Sequence, residues 1–93
     1  MPFDLAFHPE ALREWRKLPD GIRGQFKKKL AERLIEPRIP ASKRRGSTDR
    51  YKIELRAAGF RLLYEVRDQQ GLILVLAVGK RERQAVYRKA DQR

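Results

Sequence analysis

Residues 51–78, YKIELRAAGFRLLYEVRDQQGLILVLAV, carry three strand patterns in succession. Tyr51, Ile53 and Leu55 alternate with Lys52, Glu54 and Arg56, giving one apolar and one charged face. Ala57-Ala58-Gly59 reads as a hairpin turn. Beyond it Phe60, Leu62, Tyr64 and Val66 alternate with Arg61, Leu63, Glu65 and Arg67. A second turn, Asp68-Gln69-Gln70-Gly71, leads into Leu72–Val78, which is apolar on both faces and predicts a strand well inside the sheet. The apolar sides must meet a second layer. Lys52, Glu54 and Arg56 then point outward beside Arg61 and Arg67, within contact distance across adjacent strands.

The segments on either side supply that layer. Phe3, Leu5 and Phe7 alternate as a first strand, which His8-Pro9 stops because proline cannot donate to a ladder. Ala11, Leu12, Trp15 and Leu18 follow helical spacing, and Pro19 breaks the chain, with Asp20 as N-cap of the next helix. Ile22, Phe26, Leu30, Ala31, Leu34 and Ile35 form one stripe of that helix, with Lys27, Lys28 and Lys29 opposite, until Pro37 ends it. The short joint predicts a helical hairpin. Residues 37–49 read as a loop, and Glu82–Ala90 as a short last helix. The expected architecture is α+β: an N-terminal strand, a helical hairpin, then a mostly antiparallel sheet and a C-terminal helix, with helices covering one sheet face.

Ninety-three residues fit one domain, read here as 1–93, without internal repeat or composition break. Twenty-three Lys and Arg against 12 Asp and Glu leave a net charge of +11. That charge is divided almost evenly between the two halves of the chain, so it belongs to the folded body and not to a tail. A polyanion, nucleic acid first, is the economical partner. Cysteine is absent and His8 is the only histidine, which excludes disulfides, thiolate chemistry and paired-histidine catalysis. No apolar run suits a membrane span and no signal peptide opens the chain, so a soluble cytoplasmic protein is expected. His8, beside the first helix, reads as structural.

Five segments resemble the RelE family of bacterial toxins, in the wider RelE/ParE superfamily: ALREWRKLP at 11–19, QFKKKL at 25–30, PRIPASKRRG at 37–46, DRYKIELRAAGFRLLYEV at 49–66 and VGKRERQAVY at 78–87. The resemblance implies the toxin of a type II toxin–antitoxin pair, a ribosome-dependent endoribonuclease that cuts mRNA in the A site. It implies as partners the ribosome with its small-subunit rRNA, mRNA, and a RelB-like antitoxin through which operator DNA is bound. It implies neither metal nor cofactor: a ribose 2′-OH attacks the adjacent phosphate, helped by a base, by cations and by stabilisation of the leaving oxygen.

Carried over residue by residue, the resemblance makes Arg61 the ligand of the scissile phosphate, a task suited to a planar fork donor. Arg81 matches a position for leaving-group stabilisation, and charge fits it better than acid catalysis because guanidinium stays protonated. Lys52 matches a position proposed as base or electrostatic support, and Tyr87 an aromatic that stacks on an mRNA base. Lys43, Arg44 and Arg45 match a basic loop contacting RNA phosphates, with Arg56, Lys80 and Arg83 added as RNA contacts. Glu54 is a departure, since close members carry a lysine there. Three readings stay open for it: pairing with Lys52 or Arg61, which weakens a lysine base; service as the base itself; or simple relief of local repulsion. An acidic amphipathic antitoxin helix is expected to displace or pack beside residues 82–90. The competing readings are a ParE-like blocker of DNA gyrase on the same fold, and a catalytically decayed co-repressor.

Overall fold

The computed structural model describes residues 2–44, 46 and 49–93. Strand β1 (Asp4–Phe7) leads into helices α1 (Pro9–Arg16) and α2 (Asp20–Ile35), followed by β2 (Arg50–Leu55), β3 (Phe60–Arg67), β4 (Leu72–Lys80) and α3 (Ala85–Asp91), with single 3-10 turns at Pro40–Ser42 and Asp68–Gln70. The sheet order is β1-β4-β3-β2; β1 runs parallel to β4, and the other pairs are antiparallel. The doubly apolar run Leu72–Val78 therefore lies inside the sheet, as its composition predicts.

Local chemistry sets the element boundaries. The His8 Nδ1 accepts from the Glu10 N–H at 3.1 Å, so this histidine caps α1. The expected cap at Asp20 is corrected: Pro19 precedes the helix, and Asp20 is its first residue, paired one turn on with Arg23. Gly59 and Gly71 turn the two hairpins at φ of +76° and +65°, the left-handed region that a Cβ disfavours. The last helix starts later than expected, at Ala85, because Arg83 and Gln84 both stand at positive φ.

One sheet face buries Tyr51, Ile53, Leu55, Leu62, Tyr64, Val66, Ile73, Val75 and Val78 against Ala11, Trp15, Leu18, Phe26 and Leu30. The rings of Phe7, Trp15 and Phe26 join β1, α1 and α2 with centroid separations of 5.2 and 6.3 Å. The predicted stripe on α2 is narrower than the spacing suggests: Ala31 is exposed and Ile35 is 77% exposed at the helix end. Leu5 is likewise exposed on the edge strand.

The opposite face is not left open. Leu63 pairs with Ala77 and Tyr64 with Val75, so Leu76 is an extra residue, a β-bulge in β4. The bulge turns Leu76 and Ala77 to the same side, where they join Leu63 beneath Val86 and Ala90 of α3. Helices thus lie on both faces, α1 and α2 on one and α3 on the other. Among the described residues, α3 leaves accessible the outer face over β2 and the start of β3, where Lys52, Glu54 and Arg61 stand.

Candidate active site

Hairpin register builds the centre of the site. Glu54 and Arg61 are directly opposed across β2 and β3, and Lys52 is two residues from Glu54 on the same face. Arg81 follows β4 and is held over the hairpin turn by its backbone N–H, which donates to Gly59 O at 2.9 Å. All three cations converge on one carboxylate. Lys52 Nζ lies 3.0 Å from Glu54 Oε1; Arg61 Nη2 and Arg81 Nε lie 3.2 and 3.0 Å from Oε2. The Glu54 side chain is only 10% exposed and that of Arg61 13%. Arg61 Nε is buried without an acceptor among the described residues.

Burial alone would raise the Glu54 carboxyl, but hydrogen bonds from Lys52 and Arg61, reinforced by their charges, outweigh it and hold the group below the usual carboxylate range. Glu54 is therefore an anion at neutral pH. Glu54 thus pairs with Lys52 and Arg61 at once, and with Arg81 besides.

Tyr87 completes the cluster from α3. Its ring lies between two guanidinium groups, with the carbon of Arg44 and that of Arg61 each 4.7 Å from the centroid. Arg44 is itself clamped by Asp91, Nη2 to Oδ2 at 2.9 Å, and Asp91 also accepts from Arg50 at 3.2 Å. The hydrogen bond that Arg44 donates to Asp91 raises Arg44 above its ordinary value, so its charge is permanent. Arg50 and Arg67 both reach Glu65, at 3.1 and 2.9 Å, which continues the chain of charges down the outer face. Beneath β2, Arg33 of α2 donates to Lys52 O, to Tyr64 Oη and to Ser42 Oγ.

Two depressions meet at Lys52. One, of about 390 Å³, is lined by Lys43, Arg44, Lys52, Gln84 and Tyr87. The other, of about 290 Å³, lies along the free edge of β2 among Lys29, Arg33, Lys52, Glu54 and Arg56. Together they form a basic track with an aromatic at one end and a cation-bound anion in the middle, an arrangement suited to a phosphate chain with one base stacked.

The fold gathers Lys52, Glu54, Arg61, Arg81 and Tyr87 of the sequence-derived set, with Lys43, Arg44 and Arg56 on the rims. Lys80 faces elsewhere, lining a depression with Leu18, Pro19 and Phe60. Arg83 is exposed in the loop before α3, and Arg45 lies outside the described residues. Sequence reasoning missed Asp91, although its position four residues after Tyr87 puts both on one helix face. It also missed Arg33, which has no local signal on a charge-rich helix. Among the described residues no group of three or more His, Cys, Asp or Glu side chains could hold a metal ion, and no helix is long and apolar enough to cross a membrane.

Comparison with known proteins agrees with this fold. The model of the family described as ParE toxin of type II toxin-antitoxin system, parDE, matches residues 5–85. The chain is 52% identical over 93 residues to mRNA interferase toxin RelE of Escherichia coli (strain K12), covering 100% of this chain and 98% of that protein. The same figures hold for mRNA interferase RelE of Shigella flexneri. Among solved structures, a variant of E. coli toxin RelE in the free state aligns with a TM-score of 0.92 at 49% identity, covering 99% of this chain and 97% of that one. RelE in the intact E. coli RelBE toxin–antitoxin complex aligns at 0.83 and 52% identity, over 87% of this chain and 99% of that one. A family match over residues 5–85 and 52% identity over the full chain, on this fold, identify the protein as a member of the RelE/ParE family of type II toxin–antitoxin toxins.

Proposed function

We propose that the chain is the toxin of a type II toxin–antitoxin pair and acts as an mRNA interferase, a ribosome-dependent endoribonuclease that cuts the messenger in the A site and so halts translation. The observation that carries this reading is the convergence of Lys52, Arg61 and Arg81 on one anion, with Tyr87 stacked against Arg61.

The reaction needs little else from the protein. A messenger phosphodiester seated where the Glu54 carboxylate now lies is held by Arg61 and Arg81. Tyr87 stacks on a neighbouring base and fixes the nucleotide. The 2′-oxygen attacks phosphorus in line, the bond to the 5′-oxygen breaks, and a 2′,3′-cyclic phosphate remains. Arg81, the most exposed of the cluster, stabilises charge on the departing oxygen, and Lys52 stabilises the equatorial oxygens. Lys43 and Arg44 on one rim, and Arg56 on the other, hold flanking phosphates or ribosomal RNA. The chain has few groups that could orient a flexible RNA, so the ribosome supplies the alignment and free RNA is cut poorly.

The setting is the cytoplasm, where ribosomes are. A RelB-like antitoxin neutralises the toxin, and the pair binds operator DNA through the antitoxin. The E. coli relative is seen in complex with RelB, which supports an antitoxin of that kind here. The test is cleavage of end-labelled mRNA on ribosomes with an empty A site. Wild type should cut within the A-site codon, and Arg81→Ala should lose about 100- to 1000-fold in rate, the usual effect of deleting one donor to a developing charge. No cleavage by wild type at any concentration would transfer the reading to gyrase inhibition or to co-repression alone.

A further inference from the structure

A carboxylate and a phosphodiester make the same demand on a cationic pocket: one negative charge spread over two oxygens. In the free protein Glu54 meets that demand itself. Its Oε2 holds Arg61 and Arg81, its Oε1 holds Lys52, and the side chain is almost buried in doing so. A phosphate that takes the same donors must displace the carboxylate, because Arg61 Nη2 and Arg81 Nε already point at Oε2. Arg61 enters such an exchange with donor capacity in hand, since its Nε has no acceptor among the described residues.

We propose that the scissile phosphodiester displaces the Glu54 carboxylate from Arg61 and Arg81, and that this exchange converts Glu54 into the base that takes the 2′-hydroxyl proton. It rests on the nuclease reading above. The groups facing Glu54 among the described residues are Lys52 from β2, Arg56 just after it, Arg61 from β3, and Arg81 after β4. Across the groove lie Lys29 and Arg33 from α2, and Tyr87 of α3 is stacked behind Arg61. None is an anion. The stabilisation of the Glu54 anion thus comes wholly from cations, two of which the substrate takes for itself. Once Arg61 and Arg81 turn to the phosphate, the carboxylate loses two partners and gains a negative neighbour. Both changes raise its proton affinity, while Lys52 keeps it in place at 3.0 Å.

The step balances. The 2′-O–H proton moves to a Glu54 oxygen, the 2′-oxygen electron pair forms the new bond to phosphorus, and the pair of the broken P–O5′ bond leaves on the 5′-oxygen beside Arg81. That oxygen is protonated from water, and Glu54 returns its proton to solvent. In the free toxin the same carboxylate is a weak base in an occupied pocket, so base strength appears only with a phosphate in place.

The experiment follows the Glu54 carboxyl carbon by NMR as a function of pH, with and without a trinucleotide whose central ribose is 2′-deoxy and cannot react. With the trinucleotide bound, the Glu54 midpoint should move up. Wild-type affinity should rise as pH falls, because binding takes up a proton. Glu54→Gln should bind about tenfold tighter at neutral pH, since the competing anion is gone, and its affinity should not change across the acid range. An unchanged or lowered midpoint in wild type overturns the exchange, as does equal affinity of wild type and Glu54→Gln. The titration is read on wild type, so a misfolded variant does not hide the answer. If wild type cuts mRNA on ribosomes and the midpoint stays put, this inference fails alone; if wild type does not cut, the nuclease reading fails whatever the titration shows.

Discussion

Tyr64→Phe removes one oxygen from the middle of the fold and leaves every ring contact in place. Tyr64 is fully buried. Its hydroxyl donates to Pro37 O at 2.6 Å and accepts from Arg33 Nη1 at 2.9 Å. Its ring stacks on Tyr51 at 5.9 Å, a contact that phenylalanine retains. One atom therefore ties the end of α2, through Pro37 and Arg33, to the sheet. Deleting it leaves a buried carbonyl unsatisfied, at about 1 kcal/mol, and deprives a half-buried guanidinium of a partner, at about 2 kcal/mol. The expected loss is about 3 kcal/mol. For a domain of this size that corresponds to a fall in Tm of about 12–24 °C.

Urea unfolding of wild type and variant provides the measurement, with the slope m unchanged and the midpoint lowered. A loss under about 1 kcal/mol would refute the reasoning, because it would mean that water or a relaxed Arg33 replaces both bonds. A second readout separates stability from chemistry. Tyr64 faces α1 and α2, whereas Glu54 and Arg61 face the other side of the sheet. Well below its lowered Tm, Tyr64→Phe should still cut mRNA on ribosomes at nearly the wild-type rate.

Two further outcomes follow from the site and its supports. Tyr87→Ala should lower ribosome-dependent cleavage by about 5- to 150-fold, the loss of one base stack worth about 1–3 kcal/mol, while Tyr87→Phe should stay close to wild type because the face between Arg44 and Arg61 is kept. Glu14 accepts from Arg93 at 2.8 and 3.0 Å and from the Val78 N–H at 3.2 Å; burial raises its carboxyl, but these bonds and the charges of Arg93 and Lys89 win and lower it. A carboxyl lowered by folding adds stability that is fully present above its ordinary value of 4.5 and is lost as pH falls below that value. Glu14→Gln should accordingly be less stable than wild type at pH 7 by urea unfolding, with the two curves converging in acid; parallel curves would sink the assignment.

The readable part of the site was the part governed by local rules. Period-two alternation puts Lys52, Glu54 and Arg61 on one face, and the short turn ending at Gly59 fixes the register that opposes Glu54 to Arg61. The unreadable part depended on one inserted residue. Nothing in the run Leu72–Val78 distinguishes a regular strand from one with a bulge at Leu76, yet that bulge makes the floor on which α3 rests and so determines where Tyr87 stands. The same limit hid Asp91, whose partners Arg44 and Arg50 come from distant parts of the chain.

Net charge and local charge act differently here. The chain carries +11, yet Glu54, Glu65 and Asp91 are threaded among the outer-face cations and pair with Lys52, Arg44, Arg50, Arg61, Arg67 and Arg81. Uncompensated, six cations on one small sheet face would repel one another. The two facts act at different ranges. Net charge draws an RNA surface in from beyond a Debye length of about 8 Å. At contact, the internal carboxylates make binding an exchange of one anion for another, so a phosphate gains only the difference between its own fit and theirs. Such an exchange favours an anion presented in the right geometry over any nearby polyanion, which is what a nuclease dependent on an external positioning machine requires.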